Sequence, residues 1–172
     1  MRVHRQGDAR RSSLRSLYQA AGERENGTGR TGGVILRKIR NAATGKKATA
    51  WKNFSRYIKA RDALTTTGSL EYCKCITCGQ VKPIAEMDAG HMIGGRRAGI
   101  LFDESMVFAQ CQTCNRTNGG EYQAFKREMI TRNGEEWYAE KERQKTAVVH
   151  ISDKGYEMIS KHYLEKYKEI TK

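Results

Sequence analysis

Two Cys-x-x-Cys pairs, Cys75-Ile76-Thr77-Cys78 and Cys111-Gln112-Thr113-Cys114, constrain this chain more than any other feature. Each pair forms a tight knuckle that aims two thiolates at one point, and two knuckles complete the tetrahedral shell that a structural Zn²⁺ prefers. A redox Cys-x-x-Cys would be a single pair in a βαβ context, so the matched pairs favour zinc. A staple of this kind is needed: only 38% of the 172 residues are hydrophobic and the mean hydropathy is −0.76, so the core is small. Residues 79–110 separate the knuckles, a longer gap than the roughly 15–20 residues of a simple zinc ribbon. A further unit is therefore inserted between them. The fifth cysteine, Cys73, finds no place in a full tetrahedral shell and reads as a buried spare thiol.

The charge balance points to the partner. With 32 Lys and Arg against 19 Asp and Glu, the chain carries a formal charge of +13. That excess favours a polyanion, nucleic acid first and an anionic membrane surface second. No stretch approaches the roughly 20 apolar residues of a membrane span. The basic N-terminus lacks the apolar run of a signal peptide. The expected compartment is a reducing cytosol, where cysteines serve as metal ligands rather than disulfides.

Three regions follow from composition and periodicity. Residues 1–45 are rich in Arg, Gly, Ser and Thr and read as a basic, flexible arm. From residue 46 to 134 the pattern is that of a folded domain. Its leading helix, Lys46 to Leu64, carries Trp51, Phe54 and Ile58 at helical spacing and ends at Thr65-Thr66-Thr67-Gly68. Short strands are expected at 71–75, 87–93 and 106–110, with a glycine-rich basic loop at 94–99. A helix beginning near Cys114 or after Gly120 runs to about Arg132 and stops at Asn133-Gly134. Residues 135–172 read as a helical extension. One helix covers 135–145, a short strand covers 147–151, and a second helix is capped by Ser152. Tyr156, Ile159, Tyr163 and Tyr167 form an apolar stripe on that helix, a packing face or a surface for a second copy of the chain.

The inserted unit holds the most pointed chemistry. Of four histidines, His91 alone lies between the knuckles, in Asp88-Ala89-Gly90-His91. Phosphodiester hydrolysis needs a base for water, an electrophile on the non-bridging oxygens, and help for the leaving 3′-oxygen. A neutral imidazole suits the first task near pH 7, and a divalent cation held by carboxylate and amide oxygens suits the other two. Asp88 and Asn115 are the candidate donors. A capping or packing histidine is the competing reading of His91. On a regular strand Asp88 and His91 would face opposite ways, so a bulge or turn at Ala89-Gly90 is expected if they are to cooperate.

These motifs together resemble the NinG (Rap) recombination proteins of lambdoid phages. The likeness runs over roughly residues 48–140. It includes Trp51-Lys52-Asn53-Phe54-Ser55-Arg56-Tyr57-Ile58, Arg61-Asp62, Cys75-Ile76-Thr77-Cys78-Gly79, Asp88-Ala89-Gly90-His91 and Cys111-x-x-Cys114-Asn115-Arg116-Thr117-Asn118-Gly119-Gly120. That family is similar to the HNH (His-Me finger) endonucleases, whose core is a β-hairpin and helix around a catalytic metal. The resemblance implies a structure-selective endonuclease acting on Holliday junctions and D-loops. It gives His91 the place of the base and Asn115 that of the last metal ligand. Two departures stand out: Gly90 occupies the position just before the base, where many relatives carry Asp, and Met106 occupies that of the middle asparagine. Asp103 and Glu104 are the nearest polar substitutes.

The resulting expectation is an α+β protein: a zinc-stapled ββα-metal (HNH-like) core with flanking helices and a basic N-terminal arm. Cys75, Cys78, Cys111 and Cys114 hold Zn²⁺, while Asp88 and Asn115 hold Mg²⁺ or Mn²⁺. Arg96, Arg97, Arg116, Lys126 and Arg127 contact phosphates of branched or duplex DNA, which reads shape rather than sequence. A homodimer and phage or host recombination proteins are candidate partners. The rival readings are a non-catalytic zinc-containing DNA-binding accessory module, made credible by Met106, and an RNA-binding zinc protein. Metal-dependent cleavage separates them.

Overall fold

The computed structural model describes residues 33–172 apart from 96, 97 and 148, with side chains from residue 45 onward. A long helix, α1 (Gly33–Thr67), leads into the ribbon β1 (Tyr72–Lys74) and β2 (Val81–Pro83), which encloses the first cysteine knuckle. A 3₁₀ turn at Ile84–Glu86 delivers β3 (Met87–His91), the short helix α2 (Ala98–Leu101), and β4 (Val107–Cys111). A π-helical turn, Thr113–Thr117, precedes α3 (Tyr122–Asn133), α4 (Glu135–Lys145) and α5 (Asp153–Ile170). Helices and two small antiparallel ribbons make this an α+β architecture.

The first helix begins earlier than its apolar stripe implies. Gly33 to Lys46 lack that stripe, yet the helix includes them; residues 1–32 of the expected arm lie outside the described residues. Ala50, Phe54, Tyr57 and Ile58 are buried at the spacing of one helical face. At the other end the Thr65, Thr66 and Thr67 hydroxyls donate to the carbonyls of Arg61, Asp62 and Ala63, and Gly68, at φ 69°, closes the helix.

The tyrosine stripe of α5 is consumed within the chain. Phe54 and Tyr163 meet edge to face at 4.7 Å, and Asn53 donates to the Ser160 hydroxyl at 2.9 Å. Lys46 pairs with Glu157, and the Arg56 guanidinium lies over Tyr167, so partner numbers rise together and the two helices run parallel. Ile159 and Tyr163 are buried in this seam, which corrects the idea that the stripe is a surface for a second copy. The expected strand at 147–151 is absent among the described residues there. Ile151 is buried and Val149 packs on the same core, so these apolar residues serve a connecting segment rather than a ladder.

Two acid–base devices lock β4 to α1. Asp62 accepts from the Ala109 backbone N–H at 2.6 Å, and Arg61 donates to the carbonyls of Glu104 and Val107, each at 2.9 Å. Buried backbone groups at the edge of a two-stranded ribbon need such partners, since no third strand among the described residues supplies them. The loop between α2 and β4 is held from the far side by Asp103, which accepts from the Ser105 N–H and from buried Lys141.

Candidate functional site: a metal-binding knuckle pair beside a polar cavity

The four cysteines of the two knuckles come together. Their sulfur atoms all lie within 4.8 Å of one another, and Cys78 Sγ stands 3.9 Å from Cys111 Sγ. A tetrahedral zinc with Zn–S near 2.3 Å separates its sulfurs by about 3.8 Å, so the donor set fits a metal such as zinc. The first knuckle turns through Gly79 at φ 71°, where its N–H reaches the Cys75 carbonyl. The Ile76 N–H then bonds the Ala109 carbonyl, tying that knuckle to β4. Burial pushes the Cys75 thiol up, but the Cys78 N–H, the Thr77 hydroxyl and the Cys111 N–H outweigh it and draw the thiol down to about 6. Burial pushes Cys114 up to about 12 and raises Cys78 as well. One anionic sulfur thus forms readily, and the close approach of four favours a shared cation. Cys73 stays outside the cluster, fully buried, its thiol pushed up to about 11 by burial.

Next to the knuckles lies a polar cavity of about 500 Å³. Trp51, Ser55 and Lys59 of α1 form one wall, four residues apart, and Met87, Asp88, Ala89 and His91 of β3 form the floor. Gly94, Gly95, Asn115, Arg116 and Tyr122 complete the lining. The structure therefore brings Asp88, His91, Asn115 and Arg116 to one place.

No bulge was needed to do so. β3 pairs regularly with β4 from Met87↔Cys111 to His91↔Val107, correcting the expectation of a bulge at Ala89-Gly90. β3 is an edge strand, and side chains from both of its faces reach the cavity. Gly90 is explained by its neighbour across the ribbon: a β-carbon there would collide with the buried side-chain amide of Gln110. That amide donates to the Gly120 carbonyl at 2.7 Å and to the Thr77 hydroxyl at 3.3 Å, linking the first knuckle to the loop after the second.

His91 is oriented on two sides. Its ring stacks on Trp51, with centroids 5.3 Å apart and planes 15° apart, and Nε2 lies 3.2 Å from the Leu101 carbonyl oxygen. A carbonyl only accepts, so this bond requires Nε2 to carry the proton, which makes Nδ1 the basic nitrogen. Met106 is fully buried among Met92, Ile100 and Phe125, and its carbonyl accepts from Met92. The loop before β4 is held by Arg61, which donates to the Glu104 carbonyl, and by Asp103, which accepts from the Ser105 N–H.

Asp88 is the cavity's carboxylate. Arg116 grips it with two bonds of 2.7 Å, and Asn115 Nδ2 donates at 2.9 Å. Burial pushes the Asp88 carboxyl up, but Arg116 and Asn115 together hold it below the usual carboxylate range. Arg116 is itself mostly exposed. Asn115 and Arg116 are placed by the π-helical turn Thr113–Thr117, which contains Cys114, so the knuckle geometry fixes them opposite β3.

The remaining basic candidates separate. Lys126 lies over the Tyr138 ring at 4.9 Å, and neither it nor Arg127 lines the cavity. Arg96 and Arg97 lie outside the described residues. Trp51, Ser55, Lys59 and Tyr122 were not among the sequence candidates. The four-residue spacing of Trp51, Ser55 and Lys59 was the available signal, but it reads equally as one face of any helix.

Among the described residues no helix is long and apolar enough to cross a membrane. No curated protein and no solved structure matches the chain. The family model described as the bacteriophage lambda NinG protein matches residues 21–172, so the chain belongs to the NinG family.

Proposed function

We propose that the protein is a metal-dependent endonuclease that hydrolyses phosphodiester bonds of branched DNA in the cavity between α1 and β3. The observation that carries this reading is His91, locked by Trp51 and the Leu101 carbonyl and sharing one cavity with Asp88, Asn115 and Arg116. The order hairpin then helix, with cysteine knuckles at both ends of the hairpin, agrees with a ββα-metal core. Membership of a phage family associated with recombination agrees with branched DNA as substrate.

His91 Nδ1 takes the proton of the attacking water as its oxygen bonds phosphorus and the bond to the 3′-oxygen breaks. Trp51 holds the imidazole plane, and the Leu101 carbonyl accepts from Nε2–H, which leaves Nδ1 as the nitrogen that takes a proton when the ring is neutral. Lys59 and Arg116 bring positive charge to the cavity and attract the phosphate.

The donor set suits a hard divalent cation: Asp88 offers carboxylate oxygens and Asn115 an amide oxygen, the ligands Mg²⁺ and Mn²⁺ take. When bound, such an ion would neutralise charge on the phosphoryl oxygens and the leaving 3′-oxygen. Asp88 is engaged by Arg116, whose exposed guanidinium is placed to pass from carboxylate to phosphate as DNA arrives.

The test is cleavage of a four-way junction and a matched linear duplex by the wild-type chain, with Mg²⁺, with Mn²⁺, or with neither. Metal-dependent cutting of the junction in preference to the duplex is expected. Tight junction binding with no cutting under any of the three conditions would replace this reading with that of a non-catalytic DNA-binding module.

A further inference from the structure

Tyr122 is one of four large apolar side chains exposed among the described residues, at 45%, and the one of them that lines the cavity. The hydroxyl end of its ring lies against two glycines. A β-carbon on Gly94 would stand 3.1 Å from Tyr122 Cζ, and one on Gly120 would stand 2.9 Å from the same atom. The chain reaches this seat through a strained path. Gly119, Gly120 and Glu121 have φ of 63°, 98° and 48°, and Glu121 is the one non-glycine residue with positive φ among the described residues. A left-handed conformation at a glutamate is unfavourable and persists where the surroundings impose it. Here it immediately precedes Tyr122 and starts α3 in the direction that lays the ring over Gly94. The hydroxyl meets no hydrogen-bond partner among the described residues, so the ring is not held there by a polar contact.

A half-exposed ring, backed by glycine and facing a cationic cavity, is the arrangement that stacks on nucleic-acid bases, because every base offers a π-face. A base inside a duplex presents only its edges; its face becomes available when it leaves the stack. We infer that Tyr122 is a stacking platform for an unstacked base beside the phosphate held near His91, so the cavity selects DNA strands with an unpaired nucleotide at the cut. This rests on DNA being the ligand of the cavity. It deepens that reading by giving branch selectivity a physical source: a branch point supplies the open base that a linear duplex withholds.

The test is binding by the full chain, without added Mg²⁺ or Mn²⁺ so that strands stay intact, to two duplexes. One is fully paired; the other carries three unpaired bases with 2-aminopurine among them. Wild type and Tyr122→Phe should bind the unpaired substrate more tightly than the paired one and quench its fluorescence. Tyr122→Ala should lose about tenfold on the unpaired substrate, leave the paired one unchanged and quench nothing. Gly94→Ala, whose added carbon shifts the end of the ring by a few tenths of an ångström, should change binding in the same direction but by less. Equal weakening on both duplexes, or no change with Tyr122→Ala, overturns the platform. Quenching that survives alongside a chain unable to cut any junction removes the nuclease reading and leaves the platform standing.

Discussion

Asp88 carries more of the site's electrostatics than its size suggests. Desolvation raises its carboxyl, yet two arginine bonds and an asparagine bond hold it below the ordinary carboxylate range, so it is charged throughout the neutral region. A carboxyl with a folded-state value lowered below its unfolded one adds stability above the unfolded value. That contribution is lost as pH falls through the folded one. Asp88→Asn should therefore flatten the acid limb of the stability curve below about pH 4, read by thermal melts from pH 7 to pH 2. The loss at neutral pH should be small, about 1 kcal/mol or less, because Arg116 is mostly exposed. A full acid limb in the variant would show that Asp88 is not the titrating group. The motif placed Asp88 and His91 near each other but did not show why glycine precedes His91, because the answer lies across the ribbon. Gln110, far away in sequence, fills the space a side chain at position 90 would need. The same holds for Trp51, which reads as a core aromatic from helical spacing and is also the surface on which His91 stacks.

The knuckles were legible because a Cys-x-x-Cys pair fixes its own geometry locally, and the structure brings all four sulfurs together as the spacing implied. The helix α5, whose apolar stripe is strong, was legible for the same local reason. What was not legible depended on partners elsewhere. Residues 147–151 read as a strand from their apolar content, but among the described residues no neighbouring strand pairs with this stretch, and Val149 and Ile151 pack from a connecting segment. The tyrosine stripe of α5 gave its face but not its partner, which is α1. β1 and β2 are three residues each, too short to hold the first knuckle without a metal or a core beneath them. Cys111→Ser should therefore abolish binding of the single zinc expected per chain, measured by metal analysis of the purified protein. It should lower Tm by roughly 10 °C or more, since in a chain of this size about 1 kcal/mol shifts Tm by some 2–4 °C and a lost structural metal costs several. Unchanged metal content and Tm would remove the staple from the account.

Taken as a whole, the molecule is two supports around one cavity. The α1–α5 seam with its Phe54, Phe102 and Tyr163 core holds the wall carrying Trp51, Ser55 and Lys59. The cysteine cluster holds the opposite side, through β4 and the turn bearing Asn115 and Arg116. Between them Arg61 and Asp62 fix the helix to the ribbon, so wall and floor keep a set distance. The formal charge of +13 gives this scaffold a long-range pull on a polyanion, while the cavity gathers the groups of the proposed chemistry. The central claim is that His91 is the base. The most direct measurement is the single-turnover rate of four-way junction cleavage by His91→Ala with Mg²⁺ or Mn²⁺ present, paired with the junction affinity of the same protein. The account predicts a fall of about 10²- to 10⁴-fold in rate with affinity retained within a few-fold. Cleavage by His91→Ala at the wild-type rate would contradict it.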